Sequence, residues 1–122
     1  MNKKEVSLKR RQVMRSYHTP SCSNYVKRAK NGLFIGSGNS FAHEYGKFLV
    51  CLKLRKEGKF FISEAVRNDN KRRVDVVCLD DGVEYEVETD KRRAKRFEGM
   101  RGVEVVKVWE GDLEELEEEL TK

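Results

Sequence analysis

The chain has 122 residues, of which 38% are apolar and 39% are charged. This length fits one domain with a modest core, and the periodic apolar runs argue against a disordered chain. The sequence has no apolar run as long as a membrane span and no signal-peptide core, so we expect no membrane partner. Cys22, Cys51 and Cys78 are widely spaced without a C-x-x-C pair, which predicts a reducing, cytoplasmic compartment and no disulfide framework.

Charge is segregated along the chain, which has a net charge of +5. Residues 1–39 hold nine Lys or Arg and one acid, residues 91–96 hold five basic residues, and the last thirteen residues hold seven acids. This distribution predicts a basic surface that meets a polyanion, with an acidic region set apart from it. The alternative is a solvated lysine-rich surface. A single Gln among many Lys and Glu hints at a thermophilic source, and we expect an intracellular protein in a virus-infected or plasmid-bearing thermophile.

Residues 1–35 read as a basic arm or helical extension that precedes one domain at residues 36–122. Val6, Val13, Met14 and Tyr17 recur at helical spacing, and Pro20 ends that pattern. A second short helix is predicted from about residue 23 to residue 30. We expect this arm to become ordered against nucleic acid or a partner chain.

A helix is predicted to begin at Ser40 and to end at Gly58. Its apolar residues recur at helical spacing and predict the buried stripe: Phe41, Tyr45, Phe48, Leu49 and Leu52. Three strands follow at residues 60–66, 71–79 and 83–89, and Asp81-Gly82 is a hairpin turn between the second and third.

Asp90 is predicted to cap a short helix that ends at Glu98, and a fourth strand covers residues 103–109. Asp112 and Glu115 have capping-box spacing at the start of a last helix, which is acidic. The resulting order is α-β-β-β-α-β-α. It predicts an α/β fold with a mixed four-stranded sheet flanked by helices.

The second and third strands carry acidic side chains among Val and Tyr. Residues two apart on a strand share a face, so Glu84, Glu86 and Glu88 are predicted to point one way, and Asp75 is a lone acid between Val74 and Val76. Ionised carboxylates in buried strands need a compensating cation, and oxygen-only ligands suit Mg²⁺ or Mn²⁺.

If Asp75 and Glu86 meet across the hairpin, they can bind one metal, with Glu88 as a further ligand or a base. Glu44 lies at the edge of the helix's apolar stripe, where it could be a supporting ligand, and Lys47 lies on the same flank. His43 falls on the far side of the helix wheel and is discounted. The alternative is that the three glutamates form the wet face of a one-sided sheet, paired with Lys71, Arg72 or Arg73.

These residues resemble the PD-(D/E)xK nucleases, a superfamily with a restriction-endonuclease-like core. The resemblance is to archaeal Holliday-junction resolvases and small archaeal viral nucleases, and it covers about residues 36–109. It rests on Gly36-Ser37 before the helix with Glu44, on Asp75 in Arg73-Val74-Asp75-Val76-Val77, and on Glu86-Val87-Glu88-Thr89. The resemblance implies a Mg²⁺- or Mn²⁺-dependent DNA endonuclease that acts on junctions, flaps or nicks, and it implies a homodimer.

The chain departs from the family pattern at Glu88, where a Lys is usual. A Glu at this position occurs in some restriction endonucleases of the superfamily, and it would favour a second metal or another route to an activated water. A Lys from elsewhere could substitute, and Lys47 and Lys91 are the two candidates.

The predicted nucleic-acid contacts are basic residues in three parts of the chain. Five basic residues lie at the start of the short helix after the third strand. Cations there oppose the helix dipole, and contact with phosphate would explain why they occupy this position. Two precede Asp75, one is on the first helix of the domain, and the others lie in the arm. The set is Lys91, Arg92, Arg93, Lys95, Arg96, Arg72, Arg73, Lys47, Arg10, Arg11, Arg15, Lys27 and Arg28.

The sequence therefore predicts a small metal-dependent nuclease with Asp75, Glu86, Glu88 and Glu44 as its catalytic and metal-binding residues. One alternative is a module of the same fold that binds DNA or RNA with little or no cleavage. Another is an interaction protein that docks a partner through its acidic C-terminal helix.

Overall fold

The computed structural model describes residues 2–18, 30–36 and 38–122. The elements in chain order are α1 (Lys3–Arg15), β1 (Tyr17–His18), α2 (Phe41–Lys56), β2 (Phe61–Arg67), β3 (Arg73–Cys78), β4 (Glu84–Glu88), α3 (Lys91–Ala94), a 3₁₀ turn (Lys95–Phe97), β5 (Val103–Lys107), a second 3₁₀ turn (Val108–Glu110) and α4 (Asp112–Thr121). The predicted helix at about residues 23–30, which includes Lys27 and Arg28, lies outside the described residues except for Lys30, and Ser37 also lies outside them.

The described strands form one mixed, open sheet in the order β1-β2-β3-β4-β5. The first four strands pair antiparallel, and β5 is parallel to β4. The α/β class and the mixed sheet were predicted, but the prediction of four strands is wrong. The strand that was not predicted is β1, in which Tyr17 pairs with Arg67 and His18 pairs with Val66. A two-residue strand is too short to carry an alternation signal.

The core has two clusters on opposite sides of the central strands. One cluster joins α2 and α4 to the sheet through residues such as Leu49, Leu54, Val76 and Leu113. The other joins α1 and β1 to the sheet through Val13, Tyr17, Ile62, Val74 and Val77. The N-terminal segment predicted as an arm therefore contributes buried side chains to the core at residues 13 and 17.

The apolar stripe predicted for α2 is only partly the face that the helix buries. Phe41 is 85% exposed, and Phe48 and Leu52 are 42% and 39% exposed. The buried residues of α2 are instead Gly46, Lys47, Leu49, Val50, Cys51 and Leu54. The prediction was wrong about this face because the helix buries a lysine and a glycine, which a search for apolar periodicity passes over.

The pairing of β2 with β3 is interrupted at one pair of acids. Ser63 pairs with Val76 and Ala65 pairs with Val74, but the pair between them, Glu64 and Asp75, is absent from the ladder. Glu64 has a left-handed backbone, with φ of 50°. Val74 and Val76 consequently pack in different core clusters, although strict alternation predicted one face for both. The regular alternation of side chains between the two faces of the sheet is therefore broken at Asp75.

The predicted ends of the helices are confirmed in three places and wrong in one. The Ser40 hydroxyl accepts a hydrogen bond from the His43 N–H, Gly58 follows α2 with φ of 75°, and Asp90 caps α3. Asp112 does not cap α4, because its carboxylate instead accepts the Lys107 N–H at 2.7 Å. Gly111 occupies the N-cap position. No helix in the described part of the chain has both the length and the apolar character to cross a bilayer.

Candidate active site

Asp75 and Glu86 meet where β3 and β4 separate. The ladder between these strands runs through Val77↔Glu84 and Val76↔Tyr85 and then ends. Beyond it, side chains replace the backbone pairing: Glu86 Oε1 accepts the Asp75 N–H at 2.9 Å, and Asp75 Oδ2 accepts the Val87 N–H at 2.8 Å. The two carboxylates are thus held side by side by the backbone of the opposite strand, as predicted for the hairpin.

Glu86 is 5% exposed, and the arginine that pairs with it is shared with a second glutamate. Arg72 Nη1 lies 3.4 Å from Glu86 Oε2, and the same guanidinium binds Glu84. Burial, together with the negative charge of Asp75, raises the pKa of Glu86 to about 8. The Glu86 carboxyl is therefore costly to ionise in this site, and a divalent cation beside it and Asp75 would stabilise its ionised form.

Glu84 belongs to a structural network that includes Tyr17 and shares Arg72 with Glu86. It is 2% exposed and pairs with Arg72 and Arg67, and it accepts a hydrogen bond from the Tyr17 hydroxyl. The predicted alternative of a wet glutamate face is wrong for Glu84 and Glu86, because both are buried, but its pairing with Arg72 is observed. The Arg72 guanidinium is therefore engaged by glutamates rather than free for phosphate.

His43 connects the helix to the strand carboxylates. Its Nε2 lies 3.2 Å from Asp75 Oδ2, and its Nδ1 lies 2.9 Å from Glu44 Oε1. The hydrogen bond to Asp75 outweighs the opposing effect of burial, and the pKa of His43 rises to about 9. The prediction that His43 points away from the site is wrong, because the buried face of α2 is rotated from the one the apolar stripe indicated.

Glu44 reaches the site through His43 rather than directly. Its carboxylate also accepts hydrogen bonds from the Gly36 N–H and the Asn39 side chain and pairs with Lys47. These donors outweigh burial and hold the pKa of Glu44 at about 2. With its lone pairs used in this way, Glu44 positions His43.

Lys47 is completely buried and does not lie at a surface that phosphate could reach. Its ammonium donates to the Phe34 carbonyl at 2.8 Å and pairs with Glu44 at 3.0 Å and with Glu64. Burial alone would lower the pKa of Lys47, but the hydrogen bonds to both glutamates raise it. The placement of Lys47 contradicts the predicted phosphate contact and leaves it without a contact to Asp75 or Glu86.

A close approach of α2 to β4 places His43 over the strands. A Cβ atom added to Gly46 would lie 2.6 Å from Val87 Cγ1, so any larger residue would push the helix away. Gly46 and His43 are one helical turn apart, and the same approach that seats Gly46 on Val87 brings His43 to Asp75.

The carboxylates open into a cleft of about 320 Å³. Its lining residues are His43, Arg72, Arg73, Asp75, Glu86, Glu88, Arg96, Phe97 and Met100. Glu88 is half-buried in this lining. Burial and the charge of Asp75 raise the pKa of Glu88, while Arg96 and Arg93 oppose that rise. Acids at the base of the cleft and arginines in its wall are a suitable arrangement for a phosphate group.

The basic residues of α3 and the turn that follows it are exposed and unpaired. Within the described residues, no acid lies within ion-pair distance of any of the five: Lys91, Arg92, Arg93, Lys95 and Arg96. The acidic helix α4 therefore does not neutralise them. We call these five residues the basic ridge, and Arg96 brings the ridge to the cleft.

The three basic residues of α1 that were predicted to contact nucleic acid divide into one structural residue and two exposed ones. Arg10 pairs with Asp80 at 2.9 Å and lies 3.9 Å above the ring of Phe60, so its placement does not suit the predicted phosphate contact. Arg11 and Arg15 are exposed. Lys27 and Arg28 lie outside the described residues.

The predicted set of four metal-binding acids is not brought together. In residues 2–18, 30–36 and 38–122, no group of three or more His, Cys, Asp or Glu side chains could hold a metal ion. The carboxylates that do come together still suit Mg²⁺ or Mn²⁺, because these ions need few protein ligands. These ions commonly use one or two carboxylates and complete their coordination with water and substrate phosphate. Asp75 and Glu86 supply two such carboxylates, and Asp75 Oδ1 receives no hydrogen bond from a described residue.

Sequence reasoning missed the contributions of His43 and Glu64. Glu64 carries the signal that singled out Asp75, since it is one acid inside the apolar run from Phe60 to Val66. The signal for His43 was its position beside Glu44, which was outweighed by the wrong choice of buried face.

Comparisons of the chain with protein-family models, curated proteins and solved structures found no match.

Proposed function

We propose that this protein is a metal-dependent nuclease that hydrolyses phosphodiester bonds in DNA, built on a restriction-endonuclease-like core. The observation that carries the proposal is the placement of Asp75 and Glu86 side by side at the base of a cleft whose wall contains Arg73 and Arg96. Two adjacent carboxyl groups, one of them buried and with a raised pKa, next to cations that can bind phosphate, suit a divalent cation and a phosphodiester in one site.

Asp75 and Glu86 would hold Mg²⁺ or Mn²⁺, and Glu88 lies in the same cleft as a further ligand or a base. Such a cation, when bound, lowers the pKa of water and stabilises charge that develops on a phosphate. His43 holds the orientation of Asp75 through its 3.2 Å contact, and Glu44 holds His43.

The remaining residues account for the other parts of a hydrolysis. Arg73 and Arg96 bind the phosphate oxygens electrostatically and orient the phosphorus atom over the acids. Glu88 has a raised pKa and accepts a proton from the attacking water. The water oxygen bonds to phosphorus as the bond from phosphorus to the leaving sugar oxygen breaks, and solvent protonates that oxygen.

The test is cleavage of a labelled panel of four-way junction, flap, nicked duplex and single strand in Mn²⁺ and in EDTA. We expect cleavage only with metal, and we expect it to be abolished by Asp75→Asn. The matched control is Glu104→Gln, which removes an exposed strand acid outside the cleft and should cleave as the wild type does. Cleavage in EDTA, or undiminished cleavage by Asp75→Asn, would refute the proposal.

The second candidate function is a nucleic-acid-binding module without efficient cleavage. It is favoured by the internal pairing of the acids, since Asp75 contacts His43 and Glu86 lies near Arg72, and by Glu88 at the position of the family lysine. This candidate predicts that the protein binds DNA or RNA equally well in EDTA and in Mn²⁺ and cleaves neither.

A further inference from the structure

A second cavity lies on the other side of the basic ridge from the cleft. It is a groove of about 470 Å³ between α3, β5 and the 3₁₀ turn that precedes α4. Lys91, Lys95 and Lys107 line it together with Trp109, and Ala94 and Val105 are its aliphatic residues. This volume lies within the range of small-ligand sites in proteins.

Trp109 presents an aromatic face that the protein itself does not use. Its side chain is half-buried, and within the described residues no aromatic ring or cation stacks on it. Phe97, which also lines the groove, differs, because Arg72 and Arg96 lie 5.7 and 5.6 Å from its ring centre. A half-buried indole on which no described ring or cation stacks is a suitable platform for a nucleobase.

The lysines around the indole favour an anionic ligand. Lys91 and Lys95 form no ion pair with a described residue, and Lys107 has only a contact of 3.7 Å with Glu110, both side chains being about half exposed. Glu98 and Glu110 also line the groove, so its net charge is modestly positive. Cations beside an aromatic face are the combination found where proteins hold single-stranded nucleic acid.

The groove and the cleft share one wall. Phe97 lines both cavities, Arg96 lines the cleft and Lys95 lines the groove. A polynucleotide whose phosphates cross the basic ridge would therefore reach the cleft on one side and the groove on the other. Stacking on Trp109 requires a base that is not already stacked in a duplex.

We propose that this groove is a binding site for an unpaired nucleotide of the nucleic acid, with its base on Trp109 and its phosphates on Lys91, Lys95 and Lys107. The inference rests on the proposed function for the identity of the polymer, and it adds the substrate class. Substrates with a single-stranded segment next to the scissile bond, such as flaps and single strands, are bound in preference to continuous duplex.

Because Trp109 is the only tryptophan in the chain, its fluorescence reports the groove directly. We would titrate the wild-type protein with a short oligothymidylate in EDTA and repeat the titration with a continuous duplex of matched length. We expect the single strand to quench the tryptophan emission and the duplex to quench it much less. Single-strand binding without quenching would overturn the inference.

Variants separate stacking from charge. By fluorescence anisotropy, Trp109→Leu should weaken oligothymidylate binding by about 5- to 100-fold, and Trp109→Phe, which keeps a ring, by much less. Phe41→Leu removes an exposed aromatic residue outside the groove and should change nothing. Lys107→Gln should weaken binding and Lys122→Gln should not. Equal affinity of wild type and Trp109→Leu for the single strand would overturn the proposal.

The two proposals fail in different ways. Quenching by the single strand and weaker binding by Trp109→Leu, without metal-dependent cleavage, would support the nucleotide site in the groove and refute the nuclease. Metal-dependent cleavage without quenching and without a binding loss in Trp109→Leu would support the nuclease and refute the nucleotide site in the groove. An equal Trp109→Leu defect for duplex and single strand would place Trp109 in a general contact and refute the preference for an unpaired base.

Discussion

Replacing Lys47 with methionine should destabilise the protein strongly, because the ammonium is the shared partner of two carboxylates and a carbonyl. Lys47 is fully buried, and its contacts are Glu44, Glu64 and the Phe34 carbonyl. Methionine keeps most of the apolar stem and the volume, so the change removes mainly the charge and the hydrogen bonds.

The magnitude follows from what the substitution leaves behind. Removing one partner of a buried ion pair typically costs about 3–5 kcal/mol, because the other charge stays buried without compensation. The carboxylates of Glu44 and Glu64 remain 13% and 21% exposed, so water can partly rehydrate them. We therefore expect Lys47→Met to lower the free energy of unfolding by about 2–4 kcal/mol.

The assay is urea unfolding in EDTA of the wild type, Lys47→Met, Glu64→Gln and the double variant. Glu64→Gln should recover part of the loss in the double variant, giving a coupling of about 1–3 kcal/mol. The matched control is Lys53→Met on the same helix. That side chain is 26% exposed and lies 4.0 Å from Glu119, so the cost should be under about 1 kcal/mol. Equal stabilities of the two lysine variants, with nucleic-acid affinity lost only in Lys47→Met, would refute the structural role.

Three further substitutions test the packing and the charges. The pKa of Glu86 is raised from 4.5 to about 8 in the folded state, so the stability lost by ionising the buried carboxyl increases as pH rises between these values. In urea unfolding in EDTA, Glu86→Gln should be more stable than the wild type by about 2–4 kcal/mol at pH 9 and about as stable at pH 4. Leu54→Ala should lower the free energy of unfolding by about 2–5 kcal/mol, whereas Phe41→Ala, at an 85% exposed position, should cost under about 0.5 kcal/mol. Tyr17→Phe removes one hydrogen bond to Glu84, which keeps two arginines, and should cost about 1 kcal/mol in thermal or urea unfolding.

Most of the sheet could be predicted because strand alternation and hairpin turns depend on residues that are close together in the sequence. Alternation of Val with acids marks β3 and β4, and the Asp81-Gly82 turn fixes the register that brings Asp75 beside Glu86. The pairing of these two acids could therefore be predicted from the hairpin alone.

The rest of the site depends on contacts between segments that are distant in sequence. Lys47 is buried because Glu64 and Phe34 meet it, and neither residue is near it in the chain. The same contacts set the rotation of α2, so the apolar stripe misplaced His43. The interruption of strand pairing at Glu64 includes a left-handed φ at a non-glycine residue, and sequence propensity gives no signal for such a backbone.

The most direct test is the single-turnover rate of cleavage at saturating Mn²⁺ for the wild type, Asp75→Asn and Glu104→Gln, on whichever panel substrate the wild type cleaves fastest. We expect Asp75→Asn to reduce the rate by at least about 100-fold, since it removes a charge that would hold the metal, and Glu104→Gln to match the wild type. A wild type that binds the substrate and cleaves no member of the panel, or an Asp75→Asn rate equal to that of the wild type, would contradict a nuclease site at Asp75 and Glu86.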